Sequence, residues 1–260
     1  MSLHSLGAVV LCLTSLAASA QSPQVIDVPT RDGVTNRVLY ISPAQPKATL
    51  LLFAGGHGGL QLTPAGSMKW GAGNFLVRTR QQFVDQGVAV IVVDAPSDRQ
   101  STPFLNGFRQ TPGHVADVKA ILAWARAKSK APVWLIGTSR GTQSAAYLAT
   151  ELQGADAPDG IVLTSTVLAD PRGRPVPAMP LERIQVPVLV VHHEQDGCFA
   201  CLFSDVPQLM GRLTGTKRKE LIAVKGGESR GDPCEAFSHH GYLGQEAEVV
   251  EKLVAWINTK

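Results

Sequence analysis

The chain has 260 residues, of which 44% are hydrophobic and 17% charged, and a formal net charge of +3. That length suits one domain of the larger kind, with a central sheet covered on both faces. The positive balance is spread along the chain, and the short run Lys217-Arg218-Lys219 before a strand reads as a solvated edge, so no nucleic-acid partner is expected.

The first twenty residues differ from the rest. Residues 6–16 are mostly apolar, and Ala18-Ser19-Ala20 has the small-residue pattern of a secretory cleavage site. Residues 1–20 are therefore read as a signal peptide cut near Ala20, and residues 21–260 as a single exported domain, periplasmic or secreted. The n-region departs from type in carrying only His4 besides the amino terminus. The apolar run is short for a membrane span, and bulky Leu11 argues against a lipid anchor on Cys12, so no stable membrane insertion is expected after cleavage.

From Gln21 onward strands and helices alternate without a linker or repeat. Residues 37–41 and 48–53 read as strands. The second runs into Ala54-Gly55-Gly56-His57-Gly58-Gly59, a glycine loop whose backbone N–H groups are free to turn inward. The Lys-Ser/Thr that would complete a phosphate-binding P-loop is absent. Residues 75–86 read as a helix ended by Gly87, and 88–93 as a buried strand leading to Asp94-Ala95-Pro96-Ser97-Asp98-Arg99. Asp94 is read as structural or substrate-shaping, and Asp98 with Arg99 as a turn pair. Residues 114–127 put Val115, Val118, Leu122 and Ala125 on one helical face. Asn74, Arg78 and Arg109 are candidates for a site mouth or for plain surface.

Next comes Val133-Trp134-Leu135-Ile136-Gly137-Thr138-Ser139-Arg140-Gly141-Thr142, a buried strand, a tight turn and the start of an Ala-rich helix. Ser139 sits on the turn with a glycine two residues away on either side, the pattern G-x-S-x-G. Such a turn lifts the hydroxyl above the sheet, at a helix N-terminus where N–H groups favour developing negative charge. After it come strands at 160–163 and 186–191, a helix near 206–213, a strand at 220–224 and a closing helix from about Gln245. Residues 164–185 are short and Pro-rich, enough for a lip and too little for a cap. The strand at 186–191 leads to His192-His193-Glu194-Gln195-Asp196-Gly197-Cys198. Asp196 is the favoured acid there, with Glu194 and Asp170 as competitors, and His192 and His193 read as packing or hydrogen-bonding residues. Before the closing helix stands Ser238-His239-His240-Gly241-Tyr242.

Loss of the leader leaves Cys198, Cys201 and Cys234, an odd set that implies one disulfide and one free thiol. A Cys198–Cys201 bridge closes a very small loop, whereas a bridge to Cys234 closes a long one, worth about 4 kcal/mol in the chain-entropy model. Cys198 with Cys234 is the favoured pair. The spacing Cys198-x-x-Cys201 also permits zinc with the third thiol and a nearby histidine, though nothing else in the sequence requires it.

Ser139, Asp196 and the late histidine stand in the order nucleophile, acid, base, behind a glycine loop. In that order and over nearly all of the mature sequence the chain resembles the α/β-hydrolases, specifically exported bacterial serine hydrolases of esterase type. The resemblance implies an α/β fold with a mostly parallel sheet, helices on both faces and no large cap. It implies that Ser139 attacks an acyl carbon, a histidine carries the proton and Asp196 orients it, with no metal or organic cofactor. Gly56, His57 and Arg140 are the implied oxyanion hole. Relatives often follow the catalytic histidine with glycine and an aromatic, which selects His240 over His239. The expected substrate is a small or accessible ester reaching an open site. Amidase or peptidase action by the same triad, and a non-catalytic binding protein on the same fold, stay as alternatives.

Overall fold

The computed structural model describes residues 22–171 and 173–259; the expected signal segment, with Cys12, lies outside the described residues. Eight strands form one sheet: β1 (Gln24–Arg31), β2 (Val34–Ile41), β3 (Thr49–Phe53), β4 (Ala89–Pro96), β5 (Val133–Thr138), β6 (Gly160–Thr164), β7 (Val188–His193) and β8 (Lys219–Val224). Their order across the sheet is β1-β2-β4-β3-β5-β6-β7-β8. The β1–β2 and β2–β4 pairs are antiparallel and the remaining pairs are parallel. β1 was not foreseen from the sequence. It lies at the sheet edge, is half exposed and contains Pro29, so it shows neither an apolar run nor clean alternation.

β3, β4, β5 and β6 are buried along their whole length, which is why residues 50–53, 89–93, 133–136 and 161–163 read as apolar runs. Their alternating side chains feed two cores. Leu51, Ile91, Leu135 and Leu163 meet residues of helices α3 (Pro112–Lys128), α4 (Gly141–Glu151) and α5 (Val206–Arg212). Leu50, Val90 and Ile136 meet α1 (Phe75–Arg78), α2 (Arg80–Asp85) and α6 (Glu246–Asn258) on the other face. Truncating a fully buried residue such as Leu51 to alanine in either layer costs about 2–5 kcal/mol. α3 starts at a Thr111 cap, whose side chain accepts from the His114 N–H, with Pro112 in the first turn.

The helix expected over residues 75–86 is two helices, α1 and α2. Thr79 separates them, its hydroxyl donating to the Phe75 carbonyl at 2.7 Å. A threonine bonding back four residues competes with the helix ladder and bends the chain there. Among the described residues between β6 and β7, the helical elements are the short 3₁₀ turns Val176–Ala178 and Leu181–Arg183, and these form no cap over the carboxyl ends of the strands. No helix among the described residues is long and apolar enough to cross a membrane.

Candidate active site

β5 delivers Ser139 on a backbone that only close packing sustains. Its φ is +52°, the left-handed region, and its N–H donates to the Thr164 carbonyl on β6 at 3.0 Å. The flanking glycines follow from space. A Cβ on Gly137 would stand 2.2 Å from the Gly141 carbonyl oxygen, and one on Gly141 would stand 2.0 Å from the Phe53 carbonyl oxygen. Thr142 Oγ1 donates to the Ser139 carbonyl at 2.6 Å and locks the turn onto the first turn of α4.

The loop after β7 carries Asp196, whose side chain is fully buried. One carboxylate oxygen accepts from the Cys198 N–H at 2.9 Å, and the other lies 2.8 Å from His240 Nδ1. That contact assigns the proton to Nδ1 and leaves Nε2 with a lone pair. Nε2 is buried and has no hydrogen-bond partner, Ser139 Oγ included. Glu194 instead pairs with Lys225 at 3.3 Å and Asp170 with Arg140 at 2.8 Å, so neither competes for the histidine.

The two adjacent histidines have separate surroundings. His239 stacks on His193, ring centroids 4.3 Å apart, with its Nδ1 near the Gln195 carbonyl. His240 turns inward, its N–H donating to Ser238 Oγ and its carbonyl accepting from Ser165 Oγ at 2.7 Å. The residues after it explain the motif: a Cβ on Gly241 would stand 1.9 Å from the Ala236 carbonyl oxygen. Tyr242, buried at φ +58°, donates its hydroxyl to the Val191 carbonyl and accepts from the Ser165 N–H. Burial pushes that phenol well above its usual range, so it remains a donor. His192 donates Nε2–H to the Cys201 carbonyl at 2.7 Å, and His193 Nε2 lies 2.8 Å from the Gly226 carbonyl; both are packed and bonded.

The glycine loop after β3 is held from two sides. Asp94 accepts the N–H groups of Leu60, Gln61, Leu62 and Ala95, which gives it a structural role. Arg109, 4% exposed, donates to the Ala54 and Gly56 carbonyls and to Ser144 Oγ. It makes no ion pair among the described residues. Burial, with the neighbouring Arg140 charge, pushes its guanidinium down to about 9. His57 is clasped between Trp70 and Phe104 at 3.8 and 4.3 Å, and burial lowers its imidazole.

A cavity of about 480 Å³ unites these parts. Its walls include Gly55, Gly56, Ser139, Arg140 and His240, while the His57 side chain faces its aromatic neighbours. Cys198 and Cys234 are bonded to each other at one wall, tying the Asp196 loop to the His240 loop. Asn74 joins the wall. Arg78 binds Glu246 and the Gly73 and Gly241 carbonyls, bracing the His240 loop from behind. Trp70, Phe199 and Phe237 also line it, and they are three of the four exposed large hydrophobic residues among the described residues. This rim and the burial of Arg109 are not legible in the sequence, because scattered aromatics and a lone arginine carry no local signal. Asp98 pairs with Arg31, not with Arg99 as expected; Arg99 lies over the Phe108 ring. The 217–219 run is partly engaged, with Arg218 against Trp256 and Lys219 on the Met210 and Leu213 carbonyls.

No protein-family model and no curated protein sequence matches the chain significantly. Solved structures do. An esterase of Pyrococcus furiosus superposes with a TM-score of 0.65 at 14% identity, over 96% of this chain and 95% of that one. A protein described as a putative dienelactone hydrolase from Klebsiella pneumoniae gives 0.64 at 13%, over 93% and 100%. A cold-adapted esterase from an Arctic intertidal metagenomic library gives 0.57 at 18%, over 89% and 91%. The chain has the α/β-hydrolase fold. In an α/β-hydrolase fold the loops after β3, β5 and β7 converge at the carboxyl end of the sheet, where the cavity lies.

Proposed function

We propose that the protein is a serine hydrolase that cleaves carboxylic esters through an acyl-enzyme, with Ser139, His240 and Asp196 as its triad. The observation that carries this reading is His240: Nδ1 is held by a buried carboxylate, and Nε2 is left unpartnered at the wall of the cavity that Ser139 also lines. As substrate enters, Ser139 Oγ closes on Nε2, a contact that tightens in the bound state. Oγ attacks the acyl carbon while Nε2 takes its proton, and the imidazolium returns that proton to the departing alkoxide. Water repeats the sequence on the acyl-enzyme. The oxyanion is met by the Arg140 N–H at the start of α4 and by N–H groups of the Gly55–His57 stretch.

The exposed rings of Trp70, Phe199 and Phe237 at the mouth favour esters with an apolar or aromatic group at the accessible end. The disulfide supports export to an oxidising compartment after cleavage near Ala20. Labelling by a fluorophosphonate probe tests the mechanism: wild type is labelled and Ser139→Ala is not. Equal labelling of both would remove Ser139 from the mechanism, and a panel of esters against amides then sets the bond type.

A further inference from the structure

One corner of the cavity wall holds sulfur groups that the proposed hydrolysis does not use. Cys201 is a free, buried thiol, and its Sγ, Cys198 Sγ and a ring nitrogen of His240 all lie within 4.8 Å of one another. Cys234 Sγ is bonded to Cys198 and belongs to the same corner. Of the His240 nitrogens, Nδ1 is taken by Asp196, whereas Nε2 is buried and has no partner. A tetrahedral zinc site holds sulfur at about 2.3 Å and imidazole nitrogen at about 2.0 Å, which sets neighbouring ligands roughly 3.5 Å apart. Two sulfurs and one imidazole nitrogen lie this close together, and the third sulfur is bonded to one of them, so the corner contains the parts of that donor set. Asp196 on Nδ1 is moreover the outer partner that metal-bound histidines usually have. Only the covalent bond between Cys198 and Cys234 stands in the way, since it leaves Cys201 and His240 as the sole donors.

We propose that reduction of the Cys198–Cys234 disulfide opens a three-thiolate, one-histidine site for a thiophilic divalent cation, zinc above all, in which His240 becomes a ligand and is withdrawn from hydrolysis. The metal-binding half stands on the cysteine geometry; the loss of activity rests on the hydrolase reading. A dithiol or phosphine reductant supplies two electrons, breaks the S–S bond and leaves thiols on Cys198 and Cys234. Zinc displaces one proton from each of the three thiols and takes the Nε2 lone pair, with no change in its oxidation state. A small-molecule disulfide reverses the switch: it accepts the two electrons, Cys198–Cys234 closes again and the ion leaves.

The full chain, reduced by a phosphine and kept anaerobic, is titrated with Zn²⁺, and with Co²⁺ as an absorbing substitute. One metal per chain is expected, bound at least about 100-fold more tightly than by the oxidised protein, with thiolate-to-cobalt absorption in the near ultraviolet. Ester hydrolysis should stop as the zinc is bound and return on chelation. Cys201→Ser should bind zinc about 100-fold more weakly after reduction, and His240→Ala should weaken it and alter the cobalt spectrum. Should the reduced chain lose its near-ultraviolet circular dichroism, Cys234→Ser presents Cys198, Cys201 and His240 without reduction of that bond and is expected to take one zinc. Absence of stoichiometric zinc in both the reduced chain and Cys234→Ser overturns the site. Zinc bound with hydrolysis undiminished overturns the ligand role of His240. If the protein proves to hydrolyse nothing, the metal titrations still decide the site.

Discussion

Replacing Arg109 by methionine separates positioning from folding in an unusual way. The guanidinium donates to the carbonyls of Ala54 and Gly56 at 2.9 and 3.3 Å, and a peptide N–H points opposite its carbonyl. Anchoring those two carbonyls therefore sets the directions of the Gly55 and His57 N–H groups. Methionine keeps the length and apolar bulk and removes every donor. Each stranded carbonyl costs about 1–3 kcal/mol, but the substitution also removes a buried cation that has no acidic partner among the described residues, which works in the opposite direction. Stability should accordingly change by no more than about 2 kcal/mol in urea unfolding. Ester turnover should fall further, since losing one oriented oxyanion donor costs about 10²–10³ in rate. The loss should appear in kcat with KM little changed, and Arg109→Lys should recover part of it. A variant with kcat within about threefold of wild type would show that the loop holds its own shape.

Three further outcomes are expected. His114, buried between Phe53 and Phe108 with its pKa pushed to about 3 by desolvation, stays neutral in the fold while the unfolded chain protonates near 6.5. Stability is therefore full above about pH 6.5 and declines toward pH 3 at roughly 1.4 kcal/mol per unit; His114→Phe should flatten that slope in denaturant titrations at pH 4.5 and 7, and an unchanged slope would clear the residue. Asp94→Ala strands four N–H groups and should cost about 3 kcal/mol or more in urea unfolding, a cost under 1 kcal/mol meaning that the glycine loop does not depend on it. Alanine at Trp70, Phe199 or Phe237 should raise KM for aryl esters about tenfold while sparing acetyl esters of small alcohols; equal effects on both would remove the rim from substrate selection.

The amino-acid sequence by itself determined what depends on neighbours along the chain. Buried strands covered on both faces carry apolar side chains on both faces along most of their length, so β3, β4 and β5 stood out. The elbow at Ser139 stood out because two backbones approach too closely there for any Cβ at Gly137 or Gly141. The same reason fixes Gly241 beside His240. What joins distant segments was decided only by the tertiary structure. The pairing of Asp196 with His240 spans 44 residues, and three acids were compatible with the pattern until the loop after β7 placed one of them at 2.8 Å. Arg109 read equally as a mouth residue or plain surface because nothing near it in sequence records that the loop after β3 closes over it. The aromatic rim likewise draws Trp70, Phe199 and Phe237 from three separate loops. β1 was invisible because an exposed edge strand needs few apolar residues and obtains its register from β2 through backbone hydrogen bonds, which side-chain pattern does not encode.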